Sequence, residues 1–332
     1  SSGPHLHFEI REKKSQKPLN PLLYNLPVND LVRPQLQKLF IFYAQENVIL
    51  NPIQPILLER VNDSLYKTAM IETSGKIGIG IQMFDRQDYS YSRNGVYSTK
   101  VFVNGKIISH YKFDKLIINE SKKLYQVIDY ENYTQKRLKI FKLFNKSGNK
   151  LNFMNTLVDQ GIFEVELEKS YQIIIEIEDF SGNKSTIEAF IEGTDNKIKP
   201  VELRGRLIKT DREYSFTLKN KELFFPSKTF FNDVKIELFE NKDQIEIGPN
   251  LFPIANSFKI KFGFNEKDSL RSAQTFIAKK MKKSLVYLPT KLEENKLIAK
   301  VNELGVYTLA RDSVAPTVVP DNFKKNQWLS NY

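Results

Sequence analysis

Hydrophobic and polar residues alternate along most of the chain, and a two-residue period is the spacing expected of half-buried β-strands. The alternation is clearest in five segments, residues 38–45, 96–108, 172–179, 234–241 and 258–265. Neighbouring side chains of a strand point to opposite faces, so each segment has one apolar and one polar face. The pattern predicts strands that bury one face in a core.

Turn residues separate these segments. Asn104-Gly105 lies between two β-rich arms, and this dipeptide favours the positive φ angles of a type I′ hairpin turn. Helical patterns are few, and the best predicts one short helix at 120–130 with Asn119 as its N-cap. Many short strands with so little helix predict an all-β protein of tandem immunoglobulin-like β-sandwich domains.

Three polar or proline-containing segments, 17–27, 192–200 and 312–320, divide the chain. We therefore predict a remnant of a preceding domain at 1–27, a sandwich at 28–193, a second sandwich at 194–313, and the start of a further, truncated domain at 314–332. In this interpretation the chain is a piece of a longer protein.

Composition narrows the class of protein. Of the 332 residues, 41% are hydrophobic and 27% charged, as in folded domains. No apolar run approaches the roughly 18 residues of a membrane span. Ser1 leads straight into a polar, strand-like stretch, so we expect no signal peptide within these residues. The absence of cysteine excludes disulfides, thiolate zinc sites and cysteine nucleophiles. The net charge of +11 suits an anionic partner, but the lysines are scattered, with 279–283 the densest run, which argues against nucleic acid.

The first residues carry the most specific chemistry. In a strand over HLHFEIR, His5, His7, Glu9 and Arg11 share one polar face, while Leu6, Phe8 and Ile10 form an apolar core face. Two histidines on one face, roughly 7 Å apart at the backbone, can bind a metal or divide metal binding and proton transfer between them. Surface histidines and a tag remnant remain the alternatives from spacing alone.

Residues 1–11, SSGPHLHFEIR, resemble the closing motif of the lysostaphin/LytM-type zinc metallopeptidases, whose strand typically reads Ser-Thr-Gly-Pro-His-Leu-His-Phe-Glu. Those enzymes cleave peptide cross-links or stems of bacterial peptidoglycan. The rest of the chain is more loosely similar to the β-sandwich extensions that follow this domain in peptidases of Bacteroidetes-type bacteria. The stretches that carry this similarity are NPLLYNLPV, GIGIQMFDRQDYSYSRNGVYSTKVFVNGK, YQVIDYENY and LGVYTLARDSVAPTVVP.

The resemblance implies roles for both histidines. His7 corresponds to the zinc ligand of the motif, and His5 to the catalytic histidine that assists the zinc-bound water and the tetrahedral intermediate. It also implies an exported, extracytoplasmic protein that acts on peptidoglycan or another cell-envelope polymer, with its signal peptide in a missing N-terminal part. The alternative is a non-enzymatic surface protein of the adhesion or scaffold class, or a LytM-like regulator that has lost its ligands.

The remaining zinc ligands of the family come from a His-x-x-x-Asp motif upstream, and only four residues precede His5. We therefore expect this chain to bind Zn²⁺ poorly and to be inactive by itself. His110 and Asp114 match His-x-x-x-Asp but follow His7, and in a strand they stand about 13 Å apart, too far for one zinc ion.

Three other features favour structural explanations. Asp85, Asp88 and Asn94 form an oxygen-rich loop, but they lack a calcium-loop register, so we expect turn chemistry there. Asp179 begins the turn DFSGNKS. The glycines of residues 75–82 alternate with isoleucine and predict a closely packed strand rather than a phosphate loop. Tyr89 and Tyr91 are expected to be exposed, where they could contact sugars.

Overall fold

The computed structural model describes residues 8–16, 18–26, 28–45, 48–50, 54–114, 118–145, 151–195, 204–241, 243–263, 274–317 and 319. The fold is 51% strand and 8% helix, arranged in several sheets, so the predicted all-β class is confirmed. Among the described residues, no helix is long and apolar enough to cross a membrane.

A small hairpin comes first. β1 (Ile10–Arg11) pairs antiparallel with β2 (Pro18–Leu19). A 3-10 helix, Pro21–Tyr24, follows, and the side chain of Asn20 accepts a hydrogen bond from the Leu22 amide at its start.

The first sandwich contains the strands between residues 35 and 193. In chain order these are β3 (Gln35–Gln45), β4 (Val48–Leu50), β5 (Ile56–Leu57), β6 (Glu59–Arg60), β7 (Leu65–Lys67), β8 (Ile71–Thr73), β9 (Gly75–Phe84), β10 (Ser98–Val103), β11 (Lys106–Lys112), β12 (Phe141–Lys142), β13 (Met154–Leu157), β14 (Ile162–Val165), β15 (Ser170–Glu178) and β16 (Lys184–Gly193). Asn104-Gly105 joins β10 to β11 with positive φ at both residues, as the sequence predicts.

Two sheets face each other in this sandwich. The larger has the order β13-β11-β10-β15-β16-β7-β6, with β8 also on β16, and the smaller is β12-β9-β3-β4, with β14 on β9 and β5 on β3. The isoleucines of β9 and β15 at alternating positions, Ile77 to Ile81 and Ile173 to Ile177, are buried in the shared core. The two-residue period therefore builds the core directly.

The glycines of β9 admit aromatic rings onto the outer face of the smaller sheet. A Cβ atom added to Gly78 would lie 2.4 Å from the ring of Phe144, and one added to Gly80 would lie 2.4 Å from the ring of Phe42. Those two rings meet edge to face, with centroids 5.4 Å apart. The predicted close packing of this glycine-rich strand is confirmed.

The second sandwich contains the strands between residues 206 and 311. They are β17 (Arg206–Ile208), β18 (Tyr214–Leu218), β19 (Lys221–Phe225), β20 (Val234–Glu240), β21 (Gln244–Gly248), β22 (Phe258–Gly263), β23 (Thr275–Lys280), β24 (Leu285–Tyr287), β25 (Thr290–Glu293), β26 (Lys296–Val301) and β27 (Gly305–Arg311). One sheet has the order β17-β20-β21-β27-β23-β24 and the other β18-β19-β22-β26-β25. Both contribute to a single core that includes Phe225, Phe258 and Tyr307.

The predicted helix at 120–130 overlaps a 3-10 helix and is therefore wrong in type. A 3-10 helix spans Ile118–Gln126, and the α-helix, α1, spans Tyr130–Lys136. The N-cap of α1 is Asp129, whose carboxylate accepts hydrogen bonds from the backbone and side chain of Asn132. Asp129 and Asn119 are both good N-cap residues, and tertiary packing selects the later one.

Candidate functional site

The predicted peptidase residues fall at the very start of the chain. His5 and His7 lie outside the described residues, as do residues 320–332 of the predicted further domain. The described part of the histidine strand forms β1, but Phe8 is 59% exposed. The expected burial of an apolar face is therefore wrong at Phe8.

His110 and Asp114, which match His-x-x-x-Asp, do not form a metal-binding pair. His110 lies on β11, where its Nε2 is 3.3 Å from the Ser98 hydroxyl. Asp114 accepts a hydrogen bond from Tyr97 and forms an ion pair with Lys112. The two side chains thus have separate partners.

The carboxylates that the sequence assigned to turns come together in three dimensions. Asp85 follows β9, Asp179 follows β15, and Asp30 precedes β3. One oxygen from each of these three carboxylates lies within 4.8 Å of the others. Asp85 and Asp179 are buried and Asp30 is half-buried. Desolvation, followed by the negative charges of Asp179 and Asp30, raises the pKa of Asp85 to about 7.

The turn at Asp179 is confirmed as a turn. The backbone and side-chain amides of Asn183 donate to the two carboxylate oxygens of Asp179. Asp88 also contacts the backbone, because its carboxylate accepts a hydrogen bond from the amide of Leu31. Sequence reasoning missed the approach of Asp30, since the three aspartates are far apart along the chain.

A second concave feature, which we call the inter-sandwich cleft, lies between the two sandwiches. It encloses about 1480 Å³ and is lined by segments 124–143 of the first sandwich and by 279–286 and 302–306 of the second. Its edge is bridged by Lys122, whose Nζ donates to the carbonyl of Ala255 over 3.3 Å. Clefts of this kind between domains are common binding sites.

One wall of the cleft is aromatic. The ring of Tyr125 lies 5.7 Å from that of Tyr130 and 5.6 Å from that of Tyr133, measured between centroids. Burial, and then the nearby negative charge of Glu303, raises the pKa of Tyr130. These three tyrosines offer flat ring faces and hydroxyl groups to a ligand.

The opposite wall is basic. It contains the run Lys279-Lys280-Met281-Lys282-Lys283, the densest lysine run of the sequence. Lys279 forms an ion pair with Glu303, whereas Lys282 and Lys283 are exposed in the turn between β23 and β24. Asn250 Oδ1, also in the lining, is buried without a hydrogen-bond partner. The arrangement suits an anionic ligand with sugar rings or other flat groups.

Comparison with known proteins bears on the second sandwich. Residues 205–312 match the family model of the Zu5-like domain. The match covers β17 to β27 and leaves the first sandwich outside it. No curated protein matches the chain. The second sandwich is therefore similar to Zu5-like domains.

Proposed function

We propose that this chain is the C-terminal part of an exported, extracytoplasmic zinc metalloendopeptidase that hydrolyses peptidoglycan peptides. The observation that carries the proposal is the sequence of residues 1–11, which is similar to the closing motif of the lysostaphin/LytM-type enzymes over consecutive positions. In this proposal His7 is a zinc ligand and His5 assists proton transfer and charge stabilisation.

A zinc site of this kind needs more than these residues supply. Catalytic zinc takes three protein ligands and keeps one position open. Within the described ranges, the group of three metal-ligating side chains consists of aspartates alone and includes no histidine. The missing ligands of His7 would therefore come from residues upstream of Ser1, as in the family pattern.

The first experiment measures zinc. A protein that includes the coding sequence upstream of Ser1 should purify with about one zinc ion per chain. His7→Ala should lose most of it, because one of three ligands is removed. His110→Ala is the matched control and should keep it, since His110 contacts Ser98. An upstream reading frame without His-x-x-x-Asp, or zinc retained in His7→Ala, would contradict the proposal.

The inter-sandwich cleft favours a second candidate function, a non-enzymatic protein that binds a cell-envelope polymer. Its tyrosine wall and the free ends of Lys282 and Lys283 are suited to an anionic glycan. This candidate shares its partner with the first, because a hydrolase also benefits from an accessory part that holds the polymer.

Binding of the chain to insoluble peptidoglycan tests the cleft directly. The double change Lys282→Ala, Lys283→Ala should weaken binding about 5–30-fold, the equivalent of one to two kcal/mol, and the remaining binding should depend less on salt. The control is Lys235→Ala, Lys259→Ala, two exposed lysines on strands of the same sandwich. Equal binding by both double variants would exclude the cleft as the binding surface.

A further inference from the structure

Three carboxylates from distant parts of the chain meet at one end of the first sandwich. Asp85 extends from β9 of the smaller sheet, Asp179 from β15 of the larger sheet, and Asp30 from the segment that leads into β3. Their oxygens lie within 4.8 Å of one another. Like charges at this separation repel strongly where burial reduces solvation. A proton or an opposite charge is needed to offset this repulsion in the folded state.

Asp85 has an unpaired side-chain oxygen, while the backbone amide of Arg86 donates to its carboxylate. Its side chain is only 6% exposed, and its Oδ1 atom is buried with no hydrogen-bond donor. The backbone position of Asp85 is fixed, because its amide and its carbonyl both form hydrogen bonds with Asn94, over 3.0 Å and 2.9 Å. A buried, unpaired carboxylate oxygen that is held in place is costly unless a ligand satisfies it.

The Asp30 carboxylate accepts a hydrogen bond from the amide of Val32 over 3.1 Å. Asn183 holds the Asp179 carboxylate and the backbone of Asp30 in place. Its side-chain amide donates to an Asp179 oxygen over 2.7 Å and to the backbone carbonyl of Asp30 over 2.9 Å. Its backbone amide donates to the other Asp179 oxygen over 2.9 Å. Each carboxylate oxygen has about two acceptor sites, so Asp179 keeps capacity for a further partner on both oxygens.

Protein cations do not supply that partner. Across the described ranges, Asp30, Asp85 and Asp179 form no ion pair with lysine or arginine, whereas Asp63 and Asp114 do. The nearest guanidinium in sequence, Arg86, lies over the ring of Phe84 at 5.2 Å from its centroid. The cluster therefore keeps its negative charge uncompensated by side chains.

We propose that Asp30, Asp85 and Asp179 form a calcium-binding site. The donor set is made only of carboxylate oxygens, which hard cations prefer, and it contains none of the nitrogen or sulfur ligands that favour zinc. Bonds of about 2.3–2.6 Å allow two oxygens on opposite sides of one Ca²⁺ to stand up to about 5 Å apart, which accommodates the observed 4.8 Å limit. Mg²⁺ loses its bound water reluctantly and requires near-ideal octahedral geometry, so it suits a set of protein carboxylates less well, and water would complete the calcium shell.

The site would join three parts of the fold. A cation held by these aspartates links the ends of the two facing sheets and fixes the segment that enters β3. Calcium should therefore stabilise the first sandwich and leave the second unaffected. Affinity on the order of 10⁻⁴ M is expected from the values of extracellular calcium modules.

Titration of the full, chelator-treated chain with CaCl₂ at pH 8 tests the proposal. Calorimetry should show one site per chain. At a Ca²⁺ concentration about a hundredfold above the dissociation constant, the unfolding transition of the first sandwich should rise by roughly 5–10 °C. Asp85→Asn should fold and should lose this calcium response. Asp63→Asn, which changes an exposed aspartate of the same sandwich, should keep it.

No binding heat and no shift in the wild-type chain would overturn the proposal, as would an unchanged calcium response in Asp85→Asn. If Asp85→Asn does not fold, Asp30→Asn, at the half-buried position, takes its place with the same expected loss. An equal shift with MgCl₂ at the same concentration would overturn the assignment to calcium. None of these outcomes depends on peptidase activity or on zinc.

Discussion

Lys142 places a positive charge beside an apolar layer of the first sandwich. Its Nζ atom lies 6.0 Å from the centroid of the Phe144 ring, on the outer face of the smaller sheet. Burial lowers the pKa of Lys142 to about 8, and the negative charge of Asp129 opposes this shift only in part. The folded protein therefore holds this ammonium less favourably than water does.

Stability of the first sandwich should consequently rise between about pH 8 and pH 10. In this window the folded state has released the Lys142 proton, while the unfolded state, with a lysine pKa of about 10.4, still holds it. Stability increases with pH wherever the unfolded state binds more protons, and the gain here should be on the order of 1–3 kcal/mol. Urea unfolding at pH 7, 8, 9 and 10 measures it.

Lys142→Met removes the titrating group and should flatten this pH dependence while raising stability at pH 7. Lys139→Met, at an exposed position three residues earlier, is the control and should leave the slope unchanged. A wild-type stability that falls from pH 8 to pH 9 would contradict this prediction. The buried tyrosines of this sandwich, whose folded-state pKa values are raised, oppose the rise only near pH 10, where unfolded tyrosines with a pKa of about 10 begin to ionise.

At the scale of residues, the sequence pattern predicted the local role of a side chain but not which distant residues it contacts. The loop of Asp85 and the turn of Asp179 were both visible, and the Asp179 carboxylate caps its own turn, whereas Asp85 pairs with Asn94 through its backbone. Their approach to each other and to Asp30 depends on how two sheets stack, and no local pattern encodes that. The sequence indicated only that Asp85 and Asp179 each follow a predicted strand directly and that Asp30 lies a few residues before another.

At the scale of elements, the strands were predictable and the helix was not. The alternating segments at 172–179 and 258–265 correspond to β15 and β22 within a few residues, because a two-residue period with a buried face has one stable solution. The 120–130 region has a weak helical pattern, and its backbone turns as a 3-10 helix before α1 starts at Tyr130. Short helices depend on packing more than on propensity.

The contribution of the N-cap residue Asp129 to stability should be measurable. Asp129→Ala removes the acceptor of the Asn132 amide and should cost about 0.5–2 kcal/mol of stability. Because α1 presents Tyr130 and Tyr133 to the inter-sandwich cleft, the change should also weaken any ligand held there. Gln135→Ala, at an exposed position of the same helix, should change stability by less than about 0.5 kcal/mol. Equal losses in the two variants would show that the cap is unimportant.

At the scale of the whole molecule, the sequence predicted two β-sandwiches but not the space between them. The inter-sandwich cleft combines tyrosines from the α1 region with lysines from the β23–β24 turn, more than a hundred residues later. The lysine run at 279–283 was the available signal, and by its sequence alone it was consistent with a solvated surface. The proposed connection of this architecture to peptidoglycan chemistry rests on the histidine motif of residues 1–11.

Peptidoglycan hydrolysis by the protein extended upstream of Ser1 tests that link most directly. The measurement is the release of soluble peptide fragments and new amino groups from purified peptidoglycan, with the zinc-loaded protein. We expect release that falls at least about 10³-fold in His7→Ala, falls strongly in His5→Ala, and stays unchanged in His110→Ala. An extended protein that contains zinc but releases no fragments, or a His7→Ala variant with full activity, would contradict the proposed function.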